Sequence, residues 1–171
     1  MKALSYSSMP GSGFLGGLTY GHWLEEDLAL TITVGAMALE AETRVTVSGT
    51  SAHAAAVGSF LLGLRHYFSS STGRSPVRPY LGGGVGIYRG SQDDVISGTT
   101  VLATSRQETA FGGRLAVGSD FLLSRHFLTG LAAGYNLMTD FEAPIGGSRN
   151  YGGPEMSLDL SYLFGSGAAD E

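Results

Sequence analysis

The chain has no cysteine, so disulfide frameworks and thiolate-held metals are excluded. Lysine is nearly absent: Lys2 stands alone beside nine dispersed arginines. Only 15% of the 171 residues are charged, and the formal net charge is −5. With no basic patch, no nucleic-acid partner is expected. The uncharged run Val45–Leu64 has the length of a membrane helix. Thr46, Ser48, Thr50, Ser51 and His53 make its first half too polar for that. No apolar signal-peptide core follows Met1-Lys2, so an exported protein would be present here in its mature or expressed form.

What is abundant is glycine, with 27 residues scattered through apolar stretches. That is more than twice the usual share of about 7%. Glycine weakens a strand unless backbones bend or pack closely, as they do in tightly curved barrel walls. The dominant pattern is period-two alternation between turn signals. It marks Phe14–Trp23, Leu28–Leu39, Ala54–Phe68, Val77–Tyr88, Glu108–Phe121, Phe127–Met138 and Glu155–Phe164. Lys2–Ser7 supplies a short eighth segment. Leu24–Asp27 and Leu122–His126 read as short turns, and Ser69–Pro76 as an intermediate one. Glu40–His53, Arg89–Gln107 and Thr139–Pro154 read as long polar loops. Long loops at one end and short turns at the other describe an up-and-down membrane barrel. The expected fold is all-β: an eight-stranded antiparallel up-and-down transmembrane β-barrel over residues 1–164, with a flexible tail over 165–171.

The two faces of each segment differ. One carries Phe111, Leu115, Val117, Leu158, Leu160 and Tyr162; the other carries Gly, Ala, Ser, Thr and a few charges. Eight strands enclose a lumen barely wide enough for side chains. The small-residue face fits that volume, which leaves the large apolar face against lipid. Charges of both signs share the inner face. Arg65, Arg78 and Arg114 stand with Glu108, Asp120, Glu155 and Asp159, and an interior ion-pair network plugging the lumen is expected. Leu61, Tyr67, Leu128 and Met138 add inward bulk, against a wide pore. Trp23, Phe68, Tyr80, Phe121, Phe127, Tyr162 and Phe164 cluster near short-turn ends, as an aromatic girdle at one membrane interface would.

No pattern points to catalysis. His22, His53, His66 and His126 lack metal-ligand spacing. Ser124-Arg125-His126 is a turn tripeptide rather than a triad, which needs a base and an orienting group around the nucleophile. Gly82–Gly86 lacks the lysine and helix start of a phosphate loop. Asp93, Asp94, Asp140 and Glu142 read as solvated loop charges, with divalent cations near lipopolysaccharide as the sharper alternative. No catalytic group, cofactor or metal is therefore expected.

Several segments resemble OmpA/OmpW-like small outer-membrane β-barrels. GHWLEEDLAL is similar to their first short periplasmic turn, and RPYLGGGVGIY to a middle strand. YGGPEMSLDLSYLFG resembles their last strand, with Leu160, Tyr162 and Phe164 alternating like the signal read by the barrel-assembly machinery. Family members usually end on that aromatic, whereas GSGAADE follows Phe164 here. The resemblance implies the bacterial outer membrane, with lipid, lipopolysaccharide and transiently the assembly machinery as partners. It implies a structural or loop-displaying role with a plugged polar lumen. The alternatives are a narrow OmpW-like channel for small or apolar solutes, or a barrel subunit bound to an envelope protein partner.

Overall fold

The computed structural model describes residues 2–9, 14–46, 49–68, 77–97, 101–124 and 126–164. They form an antiparallel, up-and-down, all-β structure. The strands are β1 Lys2–Met9, β2 Phe14–Trp23, β3 Leu28–Thr46, β4 Gly49–Tyr67, β5 Val77–Ser97, β6 Val101–Leu122, β7 Phe127–Met138 and β8 Gly153–Phe164. Ladders follow chain order, and β1 pairs with β2 on one side and β8 on the other. The expected tail, residues 165–171, and the turn Ser69–Pro76 lie outside the described residues.

Two of the expected long loops are corrected. Glu40–His53 and Arg89–Gln107 are mostly strand: β3 and β4 pair out to Thr46↔Gly49, and β5 and β6 to Ser97↔Val101. Thr43, Val45, Thr46, Val95, Ile96, Val101 and Thr104 there are β-branched strand formers. On β6, residues 101–107 are exposed on both faces, so polarity there goes with regular strand backbone. Among the described residues, the other side of the wall is low. β2 pairs with β3 only up to Phe14↔Ala38, and β7 meets β6 only from Gly112↔Met138. Four strands therefore rise as a collar above a rim set by these two pairs. β3 leaves the rim at a bulge, with Leu39 as the extra residue between Ala38 and Glu40. An extra residue bends a strand and raises its twist at such a point.

Side chains alternate across the wall as its pleat requires. Phe60, Leu62, Leu64, Leu81, Val85, Phe111, Leu115, Leu158 and Leu160 are exposed on the outside. Asp120, Glu155, Ser157, Asp159 and Ser161 are buried on the inside. Glycine makes room for the larger inward groups. A Cβ on Gly118 would stand 2.7 Å from the Tyr80 hydroxyl.

Candidate functional site

The lumen is built in three levels. Nearest the short turns is an aromatic–cation stack. Trp23 stacks on Tyr67 with centroids 5.8 Å apart, and Tyr67 meets Tyr80 edge-on at 5.6 Å. The Arg65 guanidinium lies 4.1 Å from the Tyr80 centroid, and that of Arg78 lies 4.6 Å from the Tyr67 centroid. Such placements let a cation use the negative face of a ring. The Tyr67 hydroxyl donates to Asp120 Oδ2 at 2.8 Å, and Arg65 reaches the same oxygen at 3.5 Å. Arg78 donates to the Glu26 carbonyl at 3.2 Å.

The middle level is a polar chain across the lumen. Arg114 pairs with Glu155, and the Asn136 amide donates to the other Glu155 oxygen. The Tyr88 hydroxyl completes it, donating to Asn136 Oδ1 at 3.1 Å. Ser157 Oγ is buried without a hydrogen-bond partner among the described residues. It borders a cavity of about 70 Å³ that Arg114, Tyr88 and Glu155 also line. Further cavities of about 40 and 20 Å³ lie toward the short turns. Each exceeds the roughly 10–15 Å³ that a water needs, and none approaches the volume of an ordinary ligand site.

The upper level is an irregular segment folded back into the mouth. Phe141 and Ile145 are both 0% exposed and pack with Ala55, Val57, Leu61, Tyr88 and Ala110. Ile145 and Ser148 bridge across Gly146 and Gly147, whose φ values are +53° and +81°. Two positive φ values in succession suit a tight two-residue turn, which glycine adopts without strain. The segment is tied to itself and to the wall. Phe141 N–H donates to the Arg149 carbonyl at 2.7 Å, and Gly146 N–H donates to Gln92 Oε1 at 3.0 Å. Tyr151 donates to the Ile145 carbonyl. Sequence reading misses this level, because Thr139–Pro154 has the polarity of a solvated loop. Two bulky apolar residues beside a Gly-Gly turn are the available sign.

The expected charge network is only partly brought together. Arg65 meets Asp120, and Arg114 meets Glu155. Arg78 faces aromatic rings and a carbonyl instead of a carboxylate. Asp159 is buried beside Gly130 near Asp120, with no ion pair among the described residues. Glu108 also lacks one, because it stands above the rim, opposite Gly90.

The expected girdle divides as well. Phe68, Phe127 and Tyr162 are exposed on the outside, and Phe121 shares the outward parity of Phe111. Tyr80 is corrected: at 3% exposure it faces the lumen, in step with inward Arg78 and Gly82. Trp23 is corrected too, since it packs against Ala29, Tyr67 and Leu128 inside. A strand's period of two sets facing more strictly than closeness to a turn does. The Phe164 side chain lies outside the described residues.

The histidines scatter. His22 is exposed, His66 lies 3.7 Å from Asp27, and His126 stacks on Tyr162. Ser124 Oγ accepts from the His126 and Phe127 amides at 3.3 and 3.2 Å, which is a turn cap. Above the rim, His53 pairs with Asp94. The Asp94 carboxyl is held below its ordinary value, first by the Gln92 amide and then by His53. Asp93 is exposed on β5. Asp140 accepts from Asn150 at 2.8 Å, and exposed Glu142 bonds Arg149 through its carbonyl. No group of three His, Asp or Glu suits a metal among the described residues.

No protein-family model matches the chain, and no curated protein does. Solved structures do match. Neisserial surface protein A aligns with a TM-score of 0.54 at 14% identity, over 95% of this chain and 94% of that one. Ail, the attachment invasion locus protein of Yersinia pestis, aligns at 0.54 and 14%, over 94% and 92%. A major outer membrane protein from Thermus thermophilus aligns at 0.56 and 12%, over 95% and 98%. The fold is that of small outer-membrane β-barrels. At these identities the likeness carries architecture alone. The barrel fold here carries polar and aromatic side chains and a folded-back segment on its inside and apolar side chains on its outside.

Proposed function

We propose that this chain is an eight-stranded transmembrane barrel of the bacterial outer membrane. In this reading it has no catalytic role, its lumen is plugged, and its tall hairpins are displayed at the cell surface. The observation that carries the reading is the continuous apolar exterior. Val85, Phe111 and Met156 are 71%, 69% and 69% exposed, and similar residues surround them on β4 to β8. A soluble protein rarely leaves so large an apolar surface uncovered, whereas a lipid-facing barrel requires it. The charged, hydrogen-bonded interior is the matching half. Lipid and lipopolysaccharide contact the wall, the assembly machinery inserts it, and the collar remains free for an envelope partner.

The test is folding. In detergent micelles or lipid the chain acquires strand structure and migrates differently on a gel before and after boiling. Without detergent it aggregates. A monomeric, folded, water-soluble protein would overturn the proposal and favour a soluble barrel. The narrow-channel alternative is weaker, since two polar levels and the folded-back segment fill the same lumen.

A further inference from the structure

The collar has an open edge. Above the rim, β6 runs from Val101 to Ala110 with β5 on one side and no strand on the other, among the described residues. The first contact on that side is at Phe111, where Thr139 N–H donates to the Phe111 carbonyl. Sheet edges usually carry a proline, a bulge, a charge or a covering element that blocks further pairing. This stretch, VLATSRQETA, has no proline, lysine, bulge or, among the described residues, covering element, and its only charges, Arg106 and Glu108, are of opposite sign. It offers a row of unpaired N–H and C=O groups about seven to ten residues long, the length of an ordinary strand.

We propose that this edge pairs over Thr104–Ala110 with the same edge of a second copy, antiparallel about a two-fold axis through Gln107, residues 101–103 leaving the ladder where the second copy's own β7 begins. The charges support this occupant. In that register Arg106 stands opposite Glu108 of the second copy, and Glu108 opposite its Arg106. Both residues share the inward-facing parity of β6. Pairing across the axis keeps even positions opposite even ones, so both contacts lie on one face. Glu108 has no ion pair within its own chain among the described residues, and Arg106 is exposed. Ser105 would face Thr109, a favourable hydroxyl pair, and Thr104 would face Ala110. A two-fold contact of this kind is self-complementary and closes on two copies.

The pairing has a directional consequence and here rests on the membrane reading above. β6 descends toward the short turns in every copy inserted the same way. Antiparallel pairing of two β6 edges therefore needs one copy inverted. The contact joins two facing membranes, not neighbours in one membrane.

The chain lacks cysteine, so Gln107→Cys gives a single reporter thiol. The variant is folded in detergent micelles, where orientation is free, and its gel mobility is compared before and after boiling. A short thiol–thiol cross-linker should then yield a dimer. Val101→Cys should not, because the residue opposite it would be Gly113, which β7 covers. In the Gln107→Cys background, Arg106→Glu or Glu108→Arg should each lower dimer yield roughly tenfold. Combining the two reversals should restore it. Vesicles with outward collars should cluster in the same rank order. Equal cross-linking at 101 and 107, no dimer at 107, or charge reversals without effect would overturn the pairing. Loss of the gel shift would instead strike the barrel reading, so the two failures are distinguishable.

Discussion

At the scale of single residues, Arg114 organises the middle of the lumen. Its partner Glu155 is buried, and Asn136 and Tyr88 depend on the position of that carboxylate. Removing the guanidinium strands a buried charge, which costs several times more than an exposed pair is worth. Arg114→Ala is expected to destabilise the barrel by about 3 kcal/mol. Chemical unfolding from detergent or lipid measures this, and an unchanged midpoint would remove the pair from any structural role. On the outer face the sign of tolerance reverses. Leu160 is exposed, yet Leu160→Arg is expected to cost ~2–4 kcal/mol if the site is near the bilayer midplane. The same substitution on a water-facing strand would be close to neutral. Unfolding titrations in lipid vesicles therefore report which solvent the exterior meets.

At the scale of elements, the folded-back segment 139–152 holds two buried apolar anchors in a stretch without regular structure. Its stability rests on Phe141, Ile145 and a few hydrogen bonds, while each wall strand shares two ladders. It is thus the element that opens at least cost. Ile145→Asp places an unpaired charge among Ala55, Val57 and Tyr88 and should expel the segment. Limited proteolysis within 139–152 should then run roughly tenfold faster, with the boiled-versus-unboiled gel shift unchanged. Equal cleavage rates would mean that Ile145 does not anchor the segment.

The strands differ in how plainly the sequence announces them. Phe14–Trp23 and Phe127–Met138 have the same bounds in sequence and structure, because apolar alternation stops where their turns begin. β3 to β6 are legible only in their lower halves. Above the rim the large apolar residues of β5 and β6 come in adjacent pairs, Val95-Ile96 and Val101-Leu102, so the period-two signal fades although the backbone pairing continues. The charge network is half legible for a related reason. Parity places Arg114, Asp120 and Glu155 inside, but which carboxylate meets which guanidinium depends on stagger across the lumen. Trp23 and Tyr80 show how a rule about height can conflict with one about parity.

At the scale of the whole molecule, the plugged-lumen reading means a block in series. The aromatic stack, the Arg114–Glu155 chain and the Phe141–Ile145 anchors occupy successive levels, with cavities of about 40 and 70 Å³ between them and one of about 20 Å³ beside the aromatic stack. Removing one level leaves the others in place. In planar bilayers the protein should show no resolved conductance steps, and Ile145→Asp alone should show none. Steady ion conductance by the unaltered protein would overturn the plugged-lumen reading and revive the narrow channel.

The half-height collar gives this cylinder a front and a back. β3 to β6 stand above the rim, while β2 and β7 end at it. In the membrane reading, a body drifting across the surface from one quarter meets a wall. From the opposite quarter it meets, among the described residues, only the low rim. Rotation about the membrane normal, which leaves a symmetric barrel unchanged, here decides which of two surfaces a neighbour encounters.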